Sequence, residues 1–283
     1  MTARSLLMFP LLAAFSHAAP VKSGHATAEW ITGATVVEGG KPIQTGIRMV
    51  IEDGWHSYWT NPGESGMKLK VVWYLPEGWT AGEVEYPAPK KFLTGELPGY
   101  GYEGEVIFPV TLTPPVGASG SAQLAAKLSW LTCNDASCIP GKAELKLSPA
   151  AGSAESAEAV EKARARVPKP LEGLKLEVSE TADAIGLSLE TPEGFDAAGW
   201  EVFPATEMAL DHHKAIEFRK EGQKWAAKSG KTPMPTGRSR SWFWFLRRRA
   251  KPLWKWPGRQ NEHFDGINTI GQTSDPRLGY GAF

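Results

Sequence analysis

The stretch Gln123-Leu124-Ala125-Ala126-Lys127-Leu128-Ser129-Trp130-Leu131-Thr132-Cys133-Asn134-Asp135-Ala136-Ser137-Cys138-Ile139-Pro140-Gly141 decides how this chain is read. Its first half alternates cleanly. Leu124, Ala126, Leu128 and Trp130 fall on one face and smaller or charged residues on the other, which is the period of a half-buried strand over Gln123–Leu131. Its second half carries Cys133 and Cys138, the only two cysteines of the chain. Four residues lie between them, close enough for a disulfide and too irregular for a metal knuckle. Pro140-Gly141 reads as a turn that leads out.

Outward from this stretch the pattern stays β. Ile43–Ile51 ends at the turn Glu52-Asp53-Gly54, Leu69–Leu75 at Pro76-Glu77-Gly78, and Val106–Thr113 at Pro114-Pro115. Lys142–Leu147 alternates Leu145 and Leu147 with charged neighbours. Short strands with Gly and Pro punctuation predict an all-β, antiparallel sandwich over residues 19–150, because one face of each strand packs while the other meets water. Trp55, Trp59, Trp73 and Trp79 could line a sugar face, but tryptophans of a sandwich belong first to its core.

Residues 151–170 differ. Ser153–Val167 is rich in Ala, Glu and Arg, pairs Glu158 with Lys162 at i,i+4, and stops at Pro168 and Pro170. It reads as a short helical linker capped by Ser153. A second small β-domain is predicted over 171–237, with strands at Leu174–Val178, Ile185–Leu189, Trp200–Phe203, Ala215–Phe218 and Lys224–Ala227. Residues 238–283 form a basic, aromatic tail with no usable period. They suit either an interfacial patch or a segment without native structure, such as a shifted reading frame. The second β pattern breaks off just before the tail, which favours the latter.

Charge and termini set the setting. From Ala19 to Gly237 there are 21 Lys+Arg against 28 Asp+Glu, a net of −7; from Arg238 onward there are 9 against 3, a net of +6. The acidic body has no basic face for nucleic acid. At the N-terminus Arg4, the apolar run Leu6–Phe15 and Ser16-His17-Ala18 read as a signal peptide over residues 1–18, cleaved after Ala18. Export predicts a periplasmic protein whose cysteines are oxidised. No segment is apolar and long enough to cross a membrane as a helix.

The chemistry open to the pair is limited. A permanent staple closing so short a loop would contribute only about 2 kcal/mol, and a sandwich of this size has a core without it. Thiol–disulfide exchange needs a reachable sulfur and a neighbouring leaving group, and a pair on one loop offers both. Asp135 would oppose a thiolate nearby. His56 with the two cysteines could hold Cu(I) or Zn(II), yet a fourth ligand is missing. His212-His213 after Asp211 reads as a solvated turn rather than a metal site. No motif for a cofactor appears, so neither cofactor nor metal is expected.

Three blocks together carry a family resemblance: Gly54-Trp55-His56-Ser57-Tyr58-Trp59-Thr60-Asn61-Pro62-Gly63-Glu64-Ser65-Gly66, Pro98-Gly99-Tyr100-Gly101-Tyr102-Glu103-Gly104-Glu105-Val106-Ile107-Phe108-Pro109-Val110, and Trp130–Gly141. This set resembles the N-terminal periplasmic domain of the thiol:disulfide interchange protein DsbD family, in its ScsB-like branch. The resemblance implies an immunoglobulin-like sandwich. It implies that Cys133 and Cys138 shuttle between dithiol and disulfide, fed by a thioredoxin-like domain and emptied by periplasmic thiol-disulfide proteins. It implies an aromatic cap, Tyr100 or Tyr102, over the disulfide, with His56, Tyr58 and Trp130 as neighbours. The membrane domain and Cys-x-x-Cys domain of full-length relatives have no counterpart in these 283 residues. The alternative is a β-sandwich binding module, for a protein or copper, with a structural disulfide.

Overall fold

The expected alternation builds the first sandwich. The structure is a computed structural model that describes residues 19–118, 122–169, 172–181, 183–205, 207, 210–214 and 216–230, plus the backbone of 244–248 and 267–270. In chain order the strands are β1 (Val21–Ser23), β2 (Ala26–Thr32), β3 (Ile43–Ile51), β4 (Ser57–Gly63), β5 (Lys70–Tyr74), β6 (Thr80–Ala81), β7 (Lys90–Thr94), β8 (Leu97–Tyr102), β9 (Glu105–Thr113), β10 (Leu124–Cys133) and β11 (Cys138–Leu147). They form sheets of order β1-β2-β3-β9-β6, β11-β10-β5 and β4-β8-β7, and all the strand ladders are antiparallel. The first two face each other. Trp30, Ile47, Met49, Phe108 and Leu112 on one side meet Leu124, Ala126, Leu128, Trp130 and Leu145 on the other, all buried. The mostly β, antiparallel, sandwich-like class therefore stands.

Pro140-Gly141 is not a turn. β11 begins at Cys138 and runs through both residues, pairing Pro140 with Leu131 and Gly141 with Trp130. Two local features allow it. β11 is the edge of its sheet, so the missing proline N–H removes no ladder bond. A Cβ on Gly141 would lie 2.3 Å from the Trp130 ring, so the glycine makes room for the cross-strand indole.

The predicted helix is present as α1 (Ala154–Ala165), with Ser153 as N-cap accepting from Ser156 N at 3.1 Å and Glu158 paired with Lys162 at 2.6 Å. It does more than connect. Val160 and Ala163 pack on Ile31 and Ile107, on the outer face of the β2-β3-β9 sheet. Arg164 bonds Glu85 at 2.6 Å, and the Arg166 carbonyl accepts from Ala88 N.

A second hydrophobic cluster, around Leu176, Ile185, Leu187, Leu189, Trp200 and Trp225, follows. Its strands are β12 (Lys175–Glu180), β13 (Ala184–Glu190), β14 (Trp200–Pro204), β15 (Arg219–Glu221) and β16 (Lys224–Gly230), with β12-β13-β16-β15 as one sheet. The strand expected at Ala215–Phe218 is instead Arg219–Glu221, because Ile216 and Phe218 are buried in irregular chain and the hairpin to β16 begins after them. In the tail, read as lacking a fold, Trp244–Arg248 (β17) pairs with β14 and Ile267–Ile270 (β18) pairs with β17. The signal peptide and the rest of the tail lie outside the described residues.

Candidate functional site around Cys133 and Cys138

Cys133 ends β10 and Cys138 starts β11, opposite one another in the register. Cys133 exchanges both backbone hydrogen bonds with His56, N to His56 O at 3.0 Å and O from His56 N at 2.9 Å. Its N–H and C=O therefore point away from β11. The cysteine pair is left as a non-hydrogen-bonded pair, the type in which facing residues come closest. The Cα atoms are 4.1 Å apart and the sulfurs are bonded. The four-residue loop between them is shaped by Asn134. Its Oδ1 accepts from Ala136 N at 2.9 Å and Ser137 N at 2.8 Å, and its N–H donates to Ser137 O.

The two cysteines differ in access. Cys133 is 0 % exposed, whereas Cys138 is exposed with the loop and with Ile139 beside it. Beneath them Thr132 is fully buried; its hydroxyl donates to Ile139 O at 3.2 Å and accepts from His25 N. Trp130 is fully buried in the core two residues further back.

His56 is the first neighbour. It is buried, and its Nε2 lies 2.9 Å from Thr94 Oγ1 and 3.2 Å from Tyr58 Oη. Its ring lies on Phe92 with centroids 3.8 Å apart. Burial pushes its pKa down to about 4, against a smaller upward pull from Asp135. At neutral pH it is an uncharged imidazole and offers no cation to stabilise a thiolate.

The tyrosines expected as a cap are engaged elsewhere. Tyr102 donates to Pro87 O at 2.7 Å and packs edge-on against Phe108. Tyr100 packs edge-on against Trp59 and Phe203, and its hydroxyl shares a 2.8 Å hydrogen bond with His212 Nδ1. Burial raises both phenols above their ordinary range. The group beside the cysteine loop is the β7–β8 turn: a Cβ on Gly95 would lie 3.7 Å from Asp135 O, and Phe92 and Thr94 of the same hairpin touch His56. The sequence carried one signal for it, the two-residue Gly95-Glu96 link between Thr94 and Leu97, with Gly95 at φ +61°.

His212-His213 is a turn, solvated at His213 and Lys214, with His212 half-buried. His212 meets Tyr100, and His213 Nε2 lies 3.1 Å from Glu64. Among the described residues no cluster of three His, Cys, Asp or Glu side chains is placed to hold a metal. Trp59 and Trp79 are core residues, with Trp55 and Trp73 packed against the core.

Comparison with known proteins adds a family match over the first sandwich. No curated protein sequence matches the chain. The fold is similar to that of the N-terminal periplasmic domain of ScsB from Proteus mirabilis, with a TM-score of 0.61 and 18% identity over 88% of this chain and 94% of that one. Residues 32–150, which hold both cysteines, His56 and both tyrosines, match the family model described as thiol:disulfide interchange protein DsbD, N-terminal.

Proposed function

We propose that the chain is a periplasmic thiol–disulfide relay, taking two electrons from a thioredoxin-like donor and passing them to disulfide-bearing periplasmic proteins through Cys133 and Cys138. The observation that carries this reading is the split access of the pair: one sulfur-bearing residue faces solvent and its bonded partner is fully buried. The DsbD family match supports the exchange role, and the signal-peptide pattern of residues 1–18 supports export.

The chemistry follows from access. A donor thiolate attacks Cys138 Sγ; the donor–Cys138 bond forms, the Cys133–Cys138 bond breaks, and Cys133 leaves with the electron pair and takes a proton. The donor's second thiolate then attacks its own sulfur in the mixed disulfide. Cys138 is released as a thiol and the donor departs oxidised. In the second half the Cys138 thiolate attacks a target disulfide, and one target sulfur leaves and is protonated. Cys133 then attacks Cys138 Sγ and releases the second target thiol. The disulfide is restored and two electrons have moved.

The test is the reduction potential of the pair together with exchange against a reduced thioredoxin-like protein. A relay equilibrates near the thioredoxin range; a staple that resists reduction below about −300 mV would overturn the proposal.

A further inference from the structure

The second β-body grips the hairpin that stands beside the cysteines. Phe203 of β14 is fully buried, and it belongs to the core cluster of the first sandwich rather than to that of its own body. It meets the ring of Tyr100 on β8 with centroids 5.6 Å apart, and Lys91 Nζ of β7 lies 4.9 Å above it. His212 completes the grip through its 2.8 Å hydrogen bond to Tyr100 Oη. One end of the β7–β8 hairpin is therefore anchored in the second body. Its other end carries Thr94 and the Gly95 turn against His56 and the Asp135 loop.

We propose that His212 and Phe203 are positioning residues that, through Tyr100, hold the β7–β8 hairpin against His56 and the cysteine loop and so keep the Cys133 side of the disulfide covered. This rests on the relay reading for its purpose. A relay entered only at Cys138 must keep Cys133 from adventitious thiols, and a brace from a second body helps to hold that cover in place. The hydrogen bond is the sensitive link. Tyr100 Oη is buried, so removing its partner leaves a polar group without compensation and favours opening of the hairpin.

The experiment uses the full chain and measures the rate at which dithiothreitol reduces Cys133–Cys138, read by thiol labelling. His212→Ala and Tyr100→Phe are each expected to raise that rate roughly tenfold, and the double variant no further, since both break one bond. His212→Asn places an amide oxygen near the Nδ1 position and is expected to restore the slow rate, which loss of packing alone would not predict. Tyr100→Phe keeps the ring and the fold, so the proposal remains testable should His212→Ala unfold. Rates equal to the parent in Tyr100→Phe and His212→Ala overturn the brace, as does a fast His212→Asn. A small reductant reports access whether or not a protein donor exchanges, so failure of the relay reading would appear separately, as a chain reduced by dithiothreitol but not by any thioredoxin-like donor.

Discussion

His56 Nε2 lies 2.9 Å from Thr94 Oγ1 while the backbone of the same histidine pairs with Cys133, so one residue joins the β7–β8 hairpin to the buried half of the disulfide. This junction is apolar on one side, where Phe92 covers the ring, and it keeps the imidazole neutral.

Acid should loosen it. The folded pKa of His56 is about 4, below its ordinary 6.5, so the unfolded chain binds the proton more readily. The stabilisation is complete above pH 6.5 and is lost as the pH falls through about 4, with a total of roughly 3 kcal/mol. Thermal melts across this range should show a steeper acid decline for the parent than for His56→Gln. Parallel declines would remove His56 from the account.

The cysteines should trap partners unequally. Cys133→Ser leaves the exposed Cys138, which should form a stable mixed disulfide with a thioredoxin-like donor. Cys138→Ser leaves a buried thiol, which should form little. Electrophoresis without reductant separates the two outcomes. The double serine variant should fold, losing about 2 kcal/mol in a urea melt.

Gly141→Ala should destabilise the first sandwich by about 1–3 kcal/mol, since its methyl group would enter the Trp130 ring and the strand cannot retreat. Gly101→Ala should be worse, because the new Cβ would sit 1.9 Å from the carbonyl oxygen of Ser57, which is backbone. Far-ultraviolet melts rank the two, and a neutral Gly101→Ala would contradict the described β4–β8 approach.

The helix should behave as part of the first sandwich. A chain of residues 19–150 uncovers Ile31 and Ile107, which Val160 and Ala163 otherwise bury, and should melt below a chain of residues 19–167. Val160→Ala in the full chain should cost about 1–3 kcal/mol. Equal melts for the two lengths would return the helix to the role of a spacer.

How much of this was legible in the sequence depends on which strands had one dry face. Ile43–Ile51 is bounded as its pattern predicts, and the inward set Leu124, Ala126, Leu128 and Trp130 is the buried one. β4 and β8 escaped, because both are buried on two faces and so do not alternate. β4 also contains Pro62 and shifts register between Tyr58 and Gly63. Pro140-Gly141 misled for a related reason. Turn chemistry is local, whereas their place in a strand depends on an edge position and on a tryptophan across the ladder. The cysteines announced themselves by scarcity. Their unequal exposure depended on which side of β10 pairs with His56, a long-range fact that spacing does not contain.

Pro140 has one more consequence. A bare sheet margin is an invitation to polymerise, and β11 is such a margin with an exposed cysteine at its start. Proline removes one outward donor, Ser23 Oγ occupies the N–H of Lys142, and Lys142, Glu144 and Lys146 stand exposed along the strand. Copies of the protein are thereby discouraged from zipping together edge to edge. Under the proposed relay, a visitor to Cys138 is recognised by its shape and its own sulfur, and it leaves again without unpicking a ladder.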